Sequence, residues 1–359
     1  KGRLQEDTTQ VAPAPGIASY TANTVIDFNG AMGRFVRITI NANYGMMPEY
    51  GLSEVRFFHV PVQAEAPQPI PDVTTESVDV ELTWRAGREA VSHELHFGMD
   101  HAAVANGSAL LATTRVPSFD LADQGLAFGT TYFWRVDEVN ENSIPPRHVG
   151  ELWSFTTAAF LGVENFEPYD DDCRRIFFTW LDGWGHHPSE TCGVAAYDGN
   201  GSGAIVGYAT APFAEKILSY PAGGQSMPLV YDNSLEPYYS EASSAAYALP
   251  SDWAHGNPEI LSVYYRGSPS NELGQLYLSL EDSASRVKVL KHPDPMAVQS
   301  PVWQEWQILL SEFNALNLSS VKTITIGVGD QDDARAGGMG TLYIDNLRVG
   351  TPIKAASLE

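Results

Sequence analysis

The sequence predicts an all-β protein built from consecutive sandwich-like units. Short alternating runs rich in Val, Ile, Tyr, Phe and Trp recur along it, among them Phe35–Ile40, Tyr132–Val136 and Thr323–Val328. Gly, Pro, Asn and Asp separate these runs, as turns between short strands require. Helical periodicity is almost missing, and that combination belongs to sandwiches and barrels. No internal repeat is visible.

At 359 residues the chain suits two or three domains. It has no run of 18 or more apolar residues, so membrane insertion through a helix is not expected. The formal net charge of -23 repels phosphate backbones and argues against nucleic acid as a partner. Surplus carboxylates suit Ca²⁺, and an acidic, Lys-poor chain fits a secreted or cell-surface protein. Lys1 opens directly into polar sequence with no signal peptide, so the chain is expected to be cytoplasmic or a piece of a longer secreted protein. The ending Ala355–Glu359 reads as vector sequence. The two cysteines, Cys173 and Cys192, flank a Gly- and Trp-rich loop and can close a small disulfide ring. Two buried thiols are the alternative. A zinc site with His186 and His187 lacks the required spacing.

Three segments follow one another. Within residues 1–60, Arg34-Phe35-Val36-Arg37-Ile38 and Gly51-Leu52-Ser53-Glu54-Val55 resemble the last strands of a discoidin domain. Only the final part of that sandwich is covered, and no binding residue carries over. Residues 61–73 hold four prolines and read as a stiff linker. Residues 74–158 resemble a fibronectin type III domain through Leu82-Thr83-Trp84, Glu94–Gly98, Tyr132–Val136 and Leu152–Thr157. That resemblance implies a spacer sandwich, with Trp84 in its core and Tyr132 as a corner tyrosine bonded to backbone.

Residues 159–350 open with Val163-Glu164-Asn165-Phe166-Glu167 and close with Leu342–Val349. Between them come Gly224–Tyr231, Leu261–Arg266, Leu276–Asp282 and Trp303–Phe313. This order resembles the β-jelly-roll carbohydrate-binding modules attached to bacterial polysaccharidases. Residues 351–359 are a tail. The resemblance implies a structural Ca²⁺ held by Glu167 and Asp345, with backbone carbonyls near Gly224 to Ser226. The competing reading is two carboxylates bonded to turn amides.

A sugar ring packs its C–H face on Trp or Tyr and meets Asp, Glu, Asn, Gln or Arg with its hydroxyls. The expected ligand-binding residues are Trp180, Asp182, Trp184, Tyr197, Tyr239, Glu241, Tyr264 and Arg266. Half of the aromatics on sandwich strands must face the core. The rival enzyme reading is a glycoside hydrolase using carboxylates among Glu241, Glu281 and Asp330. Glu281 and Asp282 are adjacent, so on a strand they point to opposite faces. A third reading is a cell-surface protein-adhesion module. The function expected is non-catalytic binding of a polysaccharide or oligosaccharide, targeting further attached domains to it.

Overall fold

The computed structural model describes residues 24–28, 35–43, 46, 54–58, 61–220 and 223–352. In the first segment, residues 24–28, 35–43 and 54–58 carry no strand, and Phe35 and Phe58 are exposed. The strand expected over Phe35–Ile40 is therefore not formed. An alternating run becomes a strand when a neighbour takes its ladder hydrogen bonds and covers its apolar face. No partner strand stands beside it among the described residues. Arg34 and Gly51–Ser53 lie outside the described residues.

Residues 65–156 form strands β1 (Glu65–Gln68), β2 (Val73–Thr74), β3 (Glu81–Arg85), β4 (Ser92–Gly98), β5 (Leu110–Thr114), β6 (Ser118–Asp120), β7 (Thr131–Val139), β8 (Arg147–His148) and β9 (Leu152–Thr156). One sheet runs β1-β3-β6, the other β2-β9-β7-β4-β5 with β8 on β7. Period-two alternation puts Trp84, Leu95, Trp134, Val136 and Trp153 inside. The Trp134 and Trp153 rings lie 4.7 Å apart. The Tyr132 hydroxyl accepts a hydrogen bond from the Ala127 amide at 3.0 Å. Helix α1 (His101–Asn106) starts at Asp100, whose carboxylate accepts from the Ala102 and Ala103 amides, and stops at Gly107 in the left-handed region.

The inner face of β4 and β7 also holds a polar pair. His93 stands opposite Glu138, and both are buried. The Glu138 carboxylate meets His93 Nδ1 with one oxygen and accepts the Gly87 amide at 2.8 Å with the other. Removing one member of a buried polar pair leaves its partner unsolvated. Glu138→Ala is expected to cost about 3–5 kcal/mol, read by denaturant unfolding. A loss under about 1 kcal/mol would mean that water replaces the carboxylate.

On the opposite face of the same strands, Glu94, His96 and Asp137 bring ligand-type atoms within 4.8 Å of one another. Two guanidinium groups already serve the carboxylates. Arg135 Nη2 donates to Asp137 at 2.9 Å, and Arg147 pairs with Glu94. Burial lowers the His96 pKa, so its ring stays neutral there. The cluster is a charge-balanced ladder rather than a cation cage.

The third segment is a two-sheet antiparallel sandwich. Its strands are β10 (Phe160–Glu164), β11 (Trp180–Leu181), β12 (Ala204–Val206), β13 (Met227–Asp232), β14 (Ser240–Ser244), β15 (Ile260–Arg266), β16 (Leu276–Asp282), β17 (Val287–Lys291), β18 (Gln304–Leu309), β19 (Val321–Val328) and β20 (Met339–Gly350). The first sheet runs β12-β13-β20-β15-β18, with β10 on β20, and the second runs β11-β14-β19-β16-β17. Phe166, Trp180, Tyr231, Leu261, Leu278 and Ile326 belong to the core between them. Asp282 turns inward and is buried, while its neighbour Glu281 faces out. The sulfurs of Cys173 and Cys192 are bonded, with Cα atoms 5.1 Å apart. The ring so closed contains the short helix α2 (Ile176–Thr179), β11 and the first part of the loop that follows it.

The chain divides into two compact units. One comprises Lys1–Pro71, Leu82–Phe119 and Phe133–Trp153; the other comprises Asp72–Glu81, Asp120–Tyr132 and Ser154–Glu359. Within the second unit, the His255 ring meets Asp79 at 2.7 Å. A Cβ on Gly256 would lie 2.7 Å from the Phe128 ring and 3.0 Å from Val78. These contacts draw residues 72–81 and 120–132 toward the third segment. Among the described residues, no helix is long and apolar enough to cross a membrane.

Candidate functional site

The register of the second sheet builds rows of side chains on its outer face. Glu241 on β14 stands beside Gly327 on β19, then Tyr277 on β16, then Lys291 on β17. The next row is Ser243, Thr325, Ser279 and Val289, and a third holds Thr323, Glu281 and Val287. Alternation sends Ala242, Ile326 and Leu278 into the core between these rows.

Gly327 shapes the first row. A Cβ there would lie 2.3 Å from Tyr277 Cζ, so the phenol fills the space above the glycine. The Tyr277 hydroxyl thereby reaches across β19 and donates to Glu241 Oε2 at 2.7 Å. Gln331 Nε2 donates to the same oxygen. Burial raises the Glu241 pKa, and the hydrogen bonds from Tyr277 and Gln331 pull it the other way. Burial also raises Tyr239, with the Glu241 charge adding. Tyr197 is raised by burial and by the charges of Asp182 and Glu241. Tyr197, Tyr239, Glu241 and Tyr277 therefore share one neighbourhood. In the further rows, the hydroxyls of Ser243 and Thr325 lie 2.7 Å apart, and Lys322 Nζ donates to Glu281 at 2.7 Å.

A tightly folded loop over residues 182–203 borders this face. Asn200 Nδ2 and the Ser202 hydroxyl donate to the Glu241 carbonyl at 3.1 and 3.3 Å. Asp182 is buried and accepts the amides of Trp184, Gly185 and Val206 at 3.0, 2.8 and 2.7 Å. Gly183, Gly185 and Gly199 let backbone touch backbone: added Cβ atoms would lie 1.9 Å from the Ser202 carbonyl, 2.0 Å from Tyr197 and 2.2 Å from Gly183. On this fixed frame the Trp184 side chain is 75% exposed.

The structure thus gathers Tyr197, Tyr239 and Glu241, puts Trp184 on the loop that borders them, and separates the other expected ligand residues. Trp180 has 0% exposure and packs on Phe166 with ring centres 5.7 Å apart. β11 pairs Trp180 with Ser244, which fixes its ring on the core side, so it presents no sugar platform. Asp182 spends its oxygens on loop amides and faces no solvent. Tyr264 and Arg266 lie on β15 of the other sheet. Tyr264 is buried against Tyr220, and its hydroxyl accepts from Arg348 at 2.6 Å. In the sequence Tyr277 reads as one more residue of an apolar strand, whereas Gln331 belongs to the acidic loop 329–333, which reads either as a cation- or sugar-binding loop or as a solvated turn.

Two carboxylates of the hydrolase reading are far apart. Glu281 lies four residues beyond Tyr277 on β16, about 13 Å along the strand, and two strands, about 10 Å, across from Glu241. That exceeds the roughly 5–10 Å spacing of glycosidase pairs. Asp330 pairs with Lys291, whose hydrogen bond lowers its pKa.

Glu167 and Asp345 converge elsewhere. Glu167 Oε1 accepts the Gly224 and Gln225 amides at 2.7 and 3.2 Å, and Asp345 accepts those of Tyr220 and Asn346 at 2.8 and 2.7 Å. A Cβ on Gly223 would lie 2.9 Å from Glu167 and 3.5 Å from Asp345. Burial pushes Asp345 up to about 6, with the charges of Glu167 and Glu164 adding. Both carboxylates are thus bonded to turn amides, as the competing reading has it; no basic side chain pairs with them in the described residues, and their remaining oxygen lone pairs are of the type a hard cation takes.

A cleft of about 490 Å³ lies between Glu164, Tyr169, Phe178, Leu249 and Pro250. Its carboxylate is engaged by the Tyr169 hydroxyl at 2.5 Å and the Phe166 amide at 2.8 Å. None of the residues around Glu241 lines it.

No protein-family model matches the sequence, and no curated protein does. Solved structures of carbohydrate-binding modules are similar to the chain at low identity. One, described as from the β-sandwich superfamily with promiscuous specificity, is 11% identical, with 79% of this chain and 96% of that chain covered and a TM-score of 0.30. The family 11 module of Clostridium thermocellum, in complex with a β-1,3-1,4-mixed-linked tetrasaccharide, is 14% identical over 49% of this chain and 97% of its own, with a TM-score of 0.28. A family 22 xylan-binding domain from Paenibacillus barcinonensis is 12% identical over 55% and 96%, with a TM-score of 0.30.

Proposed function

We propose that the chain binds a polysaccharide or oligosaccharide without cleaving it, on the outer face of the second sheet beside Trp184. One observation carries the proposal: the loop that presents the exposed Trp184 is bonded through Asn200 and Ser202 to the Glu241 carbonyl, at the border of rows of carboxylate, hydroxyl and ammonium groups. One pyranose ring stacks its C–H face on the indole, while Glu241, Ser243, Thr325, Ser279, Glu281 and Lys322 meet the hydroxyls of successive sugars along the chain. The binding is modest because each sugar hydroxyl exchanges water for a similar partner. Such a module serves to hold further attached domains at their substrate, in a secreted or cell-surface protein. The test is affinity electrophoresis on a panel of soluble glycans with a parallel reducing-end assay. Retarded migration on at least one glycan without new reducing ends is expected. No retardation on any member sinks the proposal, and new reducing ends would replace it with hydrolysis.

We also propose that Glu167 and Asp345 hold a structural Ca²⁺, with nearby backbone carbonyls completing the shell. A bound ion there offsets two carboxylates brought together at the two ends of the third segment. Its chemistry is that of a clamp, adding up to about 2.7 kcal/mol at a hundredfold excess over Kd. Calorimetry is expected to show a lower transition in EDTA, restored by CaCl₂, and no such difference in Asp345→Asn. Identical transitions in EDTA and Ca²⁺ would count against the ion.

A further inference from the structure

Tyr277 belongs to the outer face by register, yet it is 2% exposed. From the connection between β19 and β20, residues 329–338, Gln331 reaches the same Glu241 oxygen to which Tyr277 donates. The base of that connection is fixed. The buried Asn233 donates through Nδ2 to the Val328 carbonyl at 3.0 Å, donates through its amide to Gly338 at 3.1 Å, and accepts the Gly337 amide at 2.8 Å. Ser240 holds the other side of the same carboxamide at 2.6 Å. Gly329 turns the chain at φ +117°, where a Cβ would lie 2.8 Å from that of Tyr239.

The tip is held differently. Consecutive residues reach opposite ends of the first row: Asp330 pairs with Lys291 on β17, and Gln331 donates to Glu241 on β14. Those ends are three strand spacings apart, about 14 Å. Residues 331–337 are otherwise exposed, and the Arg335 guanidinium pairs with Asp333 within the tip. A rigid base with a tip fastened by two side-chain contacts near solvent opens locally without disturbing the sandwich.

We infer that residues 330–336 are a latched strap over the Tyr277 row. A ligand entering that row replaces the Gln331 carboxamide on Glu241 with one of its own hydroxyls. The inference rests on the glycan-binding reading, so its test has an arm without ligand. Trypsin cleavage after Arg335, followed by mass spectrometry, reports strap opening in the intact chain.

Gln331→Ala and Lys291→Ala are each expected to speed that cut about three- to fivefold with the thermal transition unchanged. Unchanged cleavage in both variants overturns the strap. In the second arm, the glycan retained by the wild type is expected to bind both variants about three- to fivefold more tightly, because no latch has to be released. Weaker binding by both overturns the gating role and makes these side chains ligand contacts. Faster cleavage with no glycan retained by any form leaves the latch standing and removes the glycan reading, so the two failures are distinguishable.

Discussion

Glu241→Ala is expected to lower glycan affinity about tenfold or more, the scale of losing a charged hydrogen-bond acceptor. The carboxylate is the hub of the first row: Tyr277 and Gln331 both donate to it, and its own carbonyl anchors the Trp184 loop. Titration calorimetry of wild type and variant with the retained glycan measures the loss. Glu241→Gln adds a stability readout. Burial holds this carboxyl above its ordinary value of 4.5, so the unfolded chain gives up the proton first as pH rises. Folding therefore loses stability from about pH 4.5 up to the raised folded value and regains it on acidification. The Gln variant is expected to be more stable than wild type at about pH 7 and to lose that advantage near pH 4. Wild-type affinity in the Ala variant would remove Glu241 from the site.

Two tryptophans four residues apart are expected to behave oppositely. Trp180→Ala deletes a fully buried ring from the core and is expected to cost about 3–5 kcal/mol in urea unfolding. Trp184→Ala removes an exposed ring, so its unfolding curve should overlay the wild type while its glycan affinity falls about tenfold. Stable Trp180→Ala protein, or unaltered binding by Trp184→Ala, would reverse the assignment of inside and outside in this loop.

That contrast marks what the sequence makes legible. Alternating runs locate β7, β19 and β20 well, because period two and β-branched composition are local properties. Which face of a strand is core depends on register with its neighbours. Trp180, Asp182 and Trp184 form one polar-aromatic cluster in sequence, yet a two-residue strand buries the first and loop amides consume the second. Tyr277 is invisible for the same reason: within Leu276–Leu280 it reads as one more strand residue, and only pairing with Gly327 turns it toward Glu241. Tyr264 is misplaced because nothing local distinguishes one sheet of a sandwich from the other. The early alternating run at Phe35–Ile40 has the pattern of a strand, but among the described residues no partner stands beside it.

The close approaches at Gly183, Gly185 and Gly199 carry a lesson for engineering. Each of those positions admits hydrogen alone, since any larger substituent would strike a carbonyl or amide of the facing segment. A mutagenesis library that seeks altered sugar preference should keep the three invariant and randomise positions 184, 197 and 198. The scaffold then works as a fixed mounting on which the recognition surface can be exchanged.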